Sequence, residues 1–273
     1  MSAYSFIAKL YVMKQEHLIF LHDTLKYLGF GVDTPLNFAL ENQIKQGQPS
    51  FELETETCYD EESLMTARLY FTRGKDLHKE RYFFNKYEAC LHFPEKPEND
   101  RKHVFYIENN RRGVTFKQAY NLLQGRYVQK RIIDQNKDEH IWWVHLERVG
   151  DDGSLYLRYI KRQFDVQKAL ERYPIKELQF AEARERLCRS LRRGNLQPVF
   201  FVHEGSKVEP KLLFANPEKG WICNVPVEIG SPEKPANDFQ INELPEFEHA
   251  EDEAISEDIL EKEPARSRKK AHL

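Results

Sequence analysis

Long apolar runs are missing from this chain. No stretch approaches the ~18–20 residues that a membrane span needs, which excludes a helical membrane protein. Cysteine is scarce, with four among 273 residues: Cys58, Cys90, Cys188 and Cys223. Each stands alone, without a CxxC pair, so neither a disulfide framework nor a zinc motif is expected. Reduced, buried thiols are the reading. The opening MSAYSFIAKLYVMKQ places Lys9 inside its apolar stretch. It has no basic n-region and no small-residue cleavage site, so no signal peptide is expected and the chain is read as cytoplasmic.

Catalytic signatures are also missing. GFGVDT (Gly29–Thr34) holds two of the three Rossmann glycines, but it follows a helix pattern and lacks a P-loop lysine. DQNKD begins like a calcium loop, yet Glu139 stands at the glycine position and His145 at the bidentate glutamate position. His17 and His22 are five apart and diverge on a helix, and there is no HExxH or GxSxG. No cofactor and no metal are expected. The chain is read as non-enzymatic, although a site assembled from distant segments would escape this search.

What is present is a body with a core. Hydrophobic residues make up 40% and aromatics 12%, too much for a disordered chain. The net charge of −3 hides a split. Residues 231–273 carry 12 acids against 6 bases, whereas Arg111–Arg193 carries 19 bases against 11 acids. Such asymmetry permits a nucleic-acid or acidic-protein partner.

Three blocks share one order: a short helix, a glycine, then strands. The first has Pro35 at the first helical position behind Thr34 as N-cap, and Gly47 closes the helix. Strand patterns follow at Ser50–Thr57, Leu64–Thr72 and Glu80–Phe93, with a turn at RGKD. The second opens with the capping box TFKQ (Thr115–Gln118), closes its helix at Gly125 and continues with strands at Tyr127–Asp134, His140–Val149 and Ser154–Arg162. The third has a helix over Ala181–Arg193, Gly194, then Pro198–Gly205, Leu212–Phe214 and Trp221–Val225.

One such unit cannot cover its own sheet face, and stacking would supply the burial. The expected fold is α+β, with two full units and one shortened. The boundaries are an N-terminal helical segment (1–32), units at 33–110, 111–178 and 179–230, and a disordered acidic tail (231–273) with a basic end.

Two features suggest a binding surface. Arginines crowd one helix, with Arg184, Arg189, Arg192 and Arg193 on neighbouring turns. Arg126, Lys130, Arg131, Arg158, Lys161 and Arg162 lie on or beside the preceding strands. Guanidinium clusters hold phosphate or carboxylate bidentately. Aromatics interleave with them at Tyr127, Trp142, Trp143, Tyr156 and Tyr159, as they do where single strands are stacked or where protein hot spots form. The competing reading is a solvated helix face partnered by Glu182 and Glu185, with both tryptophans buried between units.

The segments AYNLLQGRYVQK (Ala119–Lys130), YPIKEL (Tyr173–Leu178), LRRGNLQPVFFVHEG (Leu191–Gly205) and FANPEKGWICNV (Phe214–Val225) together resemble an uncharacterised bacterial domain family. That family is carried on conjugative transposons and related mobile elements of gut commensal bacteria. The resemblance covers roughly 79–225. It implies a cytoplasmic protein tied to an element that moves DNA, with no catalytic residues to carry over. The leading expectation is an accessory protein binding nucleic acid or a nucleic-acid-processing enzyme through the Arg111–Arg193 region. The alternative is a protein-interaction module (inhibitor, immunity factor or scaffold) without nucleic-acid contact.

Overall fold

A computed structural model describes residues 3–31, 35–75, 81–107, 113–133, 136–149, 154–203 and 208–226, with side chains from Gln15 to Val225. Met1–Val227 form one unit. The acidic tail, Thr34 as a cap, and Asp151–Asp152–Gly153, which reads in the sequence as a hairpin signal, lie outside the described residues.

Helix α1 spans Ala3–Tyr27 and α2 spans Pro35–Gln46. Strands β1 (Ser50–Thr57), β2 (Leu64–Arg73), β3 (Tyr82–His92) and β4 (Arg101–Tyr106) pair in sequence order as an antiparallel meander. Then come α3 (Phe116–Leu123) and the meander β5 (Val128–Ile133), β6 (Glu139–Arg148) and β7 (Leu155–Ile160). After α4 (Val166–Leu170) and α5 (Ala181–Arg192), the chain closes with β8 (Gln197–Val202), β9 (Val208–Asn216) and β10 (Trp221–Pro226), a third antiparallel meander. The α+β class and the recurring helix-then-meander order are those expected. The third sheet has as many strands as the second, and the first adds β4. No helix among the described residues is long and apolar enough to cross a membrane.

Local chemistry explains the elements. In α3 the Thr115 side chain accepts from the Gln118 amide at 3.3 Å, and the Gln118 side chain accepts from the Thr115 amide at 3.2 Å, the reciprocal capping box. Gly47, Gly125 and Gly194 each follow a helix with φ of +71°, +80° and +80°, the left-handed C′ turn that frees the chain for the next strand. In β1, Phe51 and Leu53 point inward and the glutamates between them outward. In β3 the buried positions run Tyr82, Phe84, then Tyr87, Ala89 and Leu91. The register shift opposite Tyr70 and Phe71 makes Asn85 the extra residue that changes the parity.

Burial is supplied by stacking. Helix α3 touches β3 and β4 on one side and β5 and β6 on the other; α5 touches β5, β8 and β9. The second sheet is therefore covered on both faces. Val128, Val144 and Leu146 join the cluster of the first sheet, while Tyr127, Trp143 and Ile160 join that of the third. The junction is fastened by Asn121, which is fully buried. Its Nδ2 donates to the Arg193 carbonyl (2.9 Å) and to Asn195 Oδ1 (2.8 Å), and its Oδ1 accepts from Arg126 Nη2 (2.7 Å). The four cysteines are unpaired, but only Cys188 is fully buried and Cys58 is exposed, so the expectation of buried thiols holds for one of them.

Candidate docking face

The residues singled out from the sequence do not form one surface. Within the second sheet, Lys130 and Trp142 turn to the face shared with Val144, whereas Arg131, Trp143 and Arg158 turn to the opposite one. Trp143 is 1% exposed and Tyr127 is buried, which removes both as contact residues. Consecutive positions on β6 leave Trp142 half-buried and put Trp143 in the inter-unit core.

Most of the cations are already engaged. Arg126 Nε donates to the Gly194 carbonyl (2.8 Å), and Lys130 Nζ to the Gly113 carbonyl (2.8 Å) and Gln118. Arg131 pairs with Glu139 (2.9 Å) and Arg189 with Glu185 (3.1 Å). Arg184 is spent on the Leu178 carbonyl. Arg192 and Arg193 sit half-buried at the end of α5. Lys161 lies over the Trp142 ring (4.8 Å), whose neighbours are His140 and Tyr159. The single basic platform is thus corrected to a dispersed set.

Three of these residues do converge, but on the chain's own Glu218. Tyr127 Oη donates to one carboxylate oxygen (2.9 Å), Arg158 Nη2 to the other (2.8 Å), and Arg162 Nη1 to the Glu218 carbonyl (3.0 Å). These donors hold the Glu218 carboxyl below its usual range. Burial, with Glu218 beside it, pushes the Tyr127 phenol up to about 12. The site clasps the β9–β10 turn onto the second sheet.

A surface the sequence reading missed is the outer face of the third sheet. Val199, Phe201, Leu213, Ala215 and Ile222 point to the core. Alternation then turns Pro198, Phe200 and Val202 of β8 outward. From β9 come Val208, Pro210, Leu212 and Phe214, and from β10 Trp221, Cys223 and Val225. The register aligns them in rows, Pro198–Leu212–Val225 and Phe214–Cys223 among them. No strand position of this face carries a charged side chain, but Lys219 from the β9–β10 turn sets its ammonium 5.5 Å from the Trp221 ring. Phe200 (48%), Val208 (49%) and Trp221 (47%) are openly exposed. The outer face of the first sheet is the opposite case, with Glu52, Glu54 and Glu56 beside Arg68, Lys86, Glu88 and Lys102.

The β8 edge of the third sheet is closed while the sheet's face is open. On β8, Pro198 has no N–H, the Phe200 amide donates to Glu177 (3.2 Å) and the Val202 amide to the Pro174 carbonyl (2.8 Å). On β10, the Ile222 carbonyl accepts from Tyr173 Oη (2.6 Å). The β8 contacts block strand addition there. The sequence signal for the face was apolar residues at both parities in PVFFV and WICNV, the pattern of a strand buried on both sides. Among the described residues no group of three or more His, Cys, Asp or Glu is placed to hold a metal. No protein-family model, curated protein or solved structure matches the chain.

Proposed function

We propose that this chain is a protein-interaction module that docks an amphipathic helix of a partner protein on the outer face of its third sheet. The observation that carries the reading is that no strand position of this solvent-facing sheet surface is charged in a chain that is 31% charged, with Lys219 of the adjoining turn reaching over Trp221. The occupant follows from the chain's own construction. Sheets here are covered by helices, α3 on the first two and α5 on the second and third. Three strands span about 14 Å and six residues about 20 Å, which matches a helix ~10–12 Å across and nearly four turns long. The blocked β8 edge favours face-on packing.

The nucleic-acid reading needs a continuous basic surface. What remains of it is Trp142, Tyr159 and Lys161, with one lysine already over the indole. Protein docking is therefore the better supported of the two.

Leu212→Glu and Phe200→Glu place a charge on the open face. Each is expected to cost under about 1 kcal/mol of stability, because the side chains point away from the core. The test is calorimetric titration with helical peptides selected from a displayed library against the full chain. Binding at roughly 1–100 μM that is unchanged between about 50 and 200 mM salt and lost in both variants supports docking. Binding that survives both variants, or a chain that sediments as a dimer through this face, overturns it.

A further inference from the structure

The outer face of the first sheet brings together three residues that lie far apart in sequence. Thr66 on β2 and His92 at the end of β3 share this face, and Asp100 precedes β4. His92 Nδ1 is 2.8 Å from Asp100 Oδ2, and Asp100 Oδ1 accepts the Phe93 amide at 2.8 Å. A carboxylate only accepts, so Nδ1 carries the proton. When Nδ1 holds the ring's single proton, Nε2 is an acceptor 3.1 Å from Thr66 Oγ1, and the hydroxyl donates to it. The Asp100 carboxyl is held below its usual range by the Phe93 amide and His92, so it is ionised at neutral pH.

Thr66 opens on a shallow cavity of about 310 Å³ whose lining includes Glu54, Glu56, Arg68, Glu88 and Cys90. Arg68 is neutralised by Glu54 (3.0 Å) and Glu52 (3.6 Å). Glu56 and Glu88 have no ion pair among the described residues and face the cavity as net negative charge. Cys90 is Thr66's neighbour in register. Burial above all, then Glu88, pushes its thiol up, against Lys102, a hydrogen bond with Thr66, and Arg68.

We propose that Thr66, His92 and Asp100 form an acyl-transfer relay acting on small esters that carry a cationic group. His92 Nε2 takes the Thr66 proton as Oγ1 bonds to the ester carbonyl carbon. The tetrahedral adduct collapses with cleavage of the ester C–O bond, and His92 returns the proton to the leaving alkoxide. Water, deprotonated by the same nitrogen, then attacks the threonyl ester. The acid departs and Oγ1 regains its proton. Asp100 is a positioning residue that fixes the tautomer. Glu56 and Glu88 select the cationic substrate.

The test is hydrolysis of p-nitrophenyl acetate and of the p-nitrophenyl ester of trimethylglycine by the full chain, with peptide mapping of the trapped acyl group. Thr66→Val and His92→Gln are expected to lower the rate roughly a hundredfold, the usual worth of a general base. Thr66→Ser restores it. Asp100→Asn lowers kcat with KM unchanged. The acyl group maps to Thr66, and the cationic ester is the better substrate by KM. A rate that Thr66→Val leaves intact, or an acyl group found only on lysines or the amino terminus, overturns the relay. Equal KM for the two esters overturns the substrate class.

Discussion

Tyr127 and Arg158 grip opposite oxygens of one carboxylate, Glu218, at 2.9 and 2.8 Å. Two residues that the sequence offered as contacts for a foreign anion thus serve an internal one. The Glu218 carboxyl is depressed by these donors. A depressed carboxyl adds stability above its unfolded pKa and loses it as pH falls through the folded value. Glu218→Gln should therefore destabilise the chain near pH 7, with the difference from the parent fading between about pH 5 and pH 2. Urea unfolding across that range checks it. A difference that is constant with pH would mean the carboxylate charge plays no part.

Gly194 and Gly47 share a left-handed φ but not a neighbourhood. A Cβ on Gly194 would lie 2.7 Å from the Tyr127 carbonyl oxygen and 2.9 Å from Val128 Cγ2, whereas one on Gly47 meets nothing within 4 Å. Gly47→Ala should cost only the conformational penalty, about 1–2 kcal/mol. Gly194→Ala should cost clearly more, about 3 kcal/mol or above, because the Tyr127 carbonyl just ahead of β5 and the Val128 side chain must shift as well. Comparable losses in thermal unfolding would show that the second and third units do not meet closely at this point.

The paired tryptophans should behave oppositely. Trp143→Ala empties a site in the inter-unit core and should cost about 3–5 kcal/mol. Trp142→Ala forfeits a half-exposed ring under Lys161 and should cost about 1 kcal/mol. The Trp143 indole N–H has no acceptor among the described residues. Trp143→Phe removes that unsatisfied donor and should therefore be milder than Trp143→Ala by more than ring volume alone suggests. Equilibrium unfolding of the three variants decides.

Much of the backbone was legible in the sequence because local signals agreed. Pro35, the TFKQ box and the three helix-ending glycines mark termini by capping chemistry, and alternation marks β1 and β2 within a residue of their ends. Strand β4 was missed because RKHVFY carries its charges on an edge and buries Phe105 fully. The short α4 was missed because five residues give too little periodicity. The binding site was the weakest inference. Charge density along the chain says nothing about which carbonyls and carboxylates the fold brings within reach of each arginine. Thr66, His92 and Asp100 likewise meet only through the meander's register.

The docking account is tested most directly by Trp221, the one tryptophan on the open face. A tryptophan-free amphipathic peptide of about fourteen residues, leucine-rich on one side and chosen for binding to the full chain, is titrated while indole emission is followed. The account expects a saturable blue shift, absent in Trp221→Phe and in Leu212→Glu and unaffected by salt. Saturable binding that leaves Trp221 emission unmoved, or that persists in Leu212→Glu, would place the partner elsewhere and contradict it.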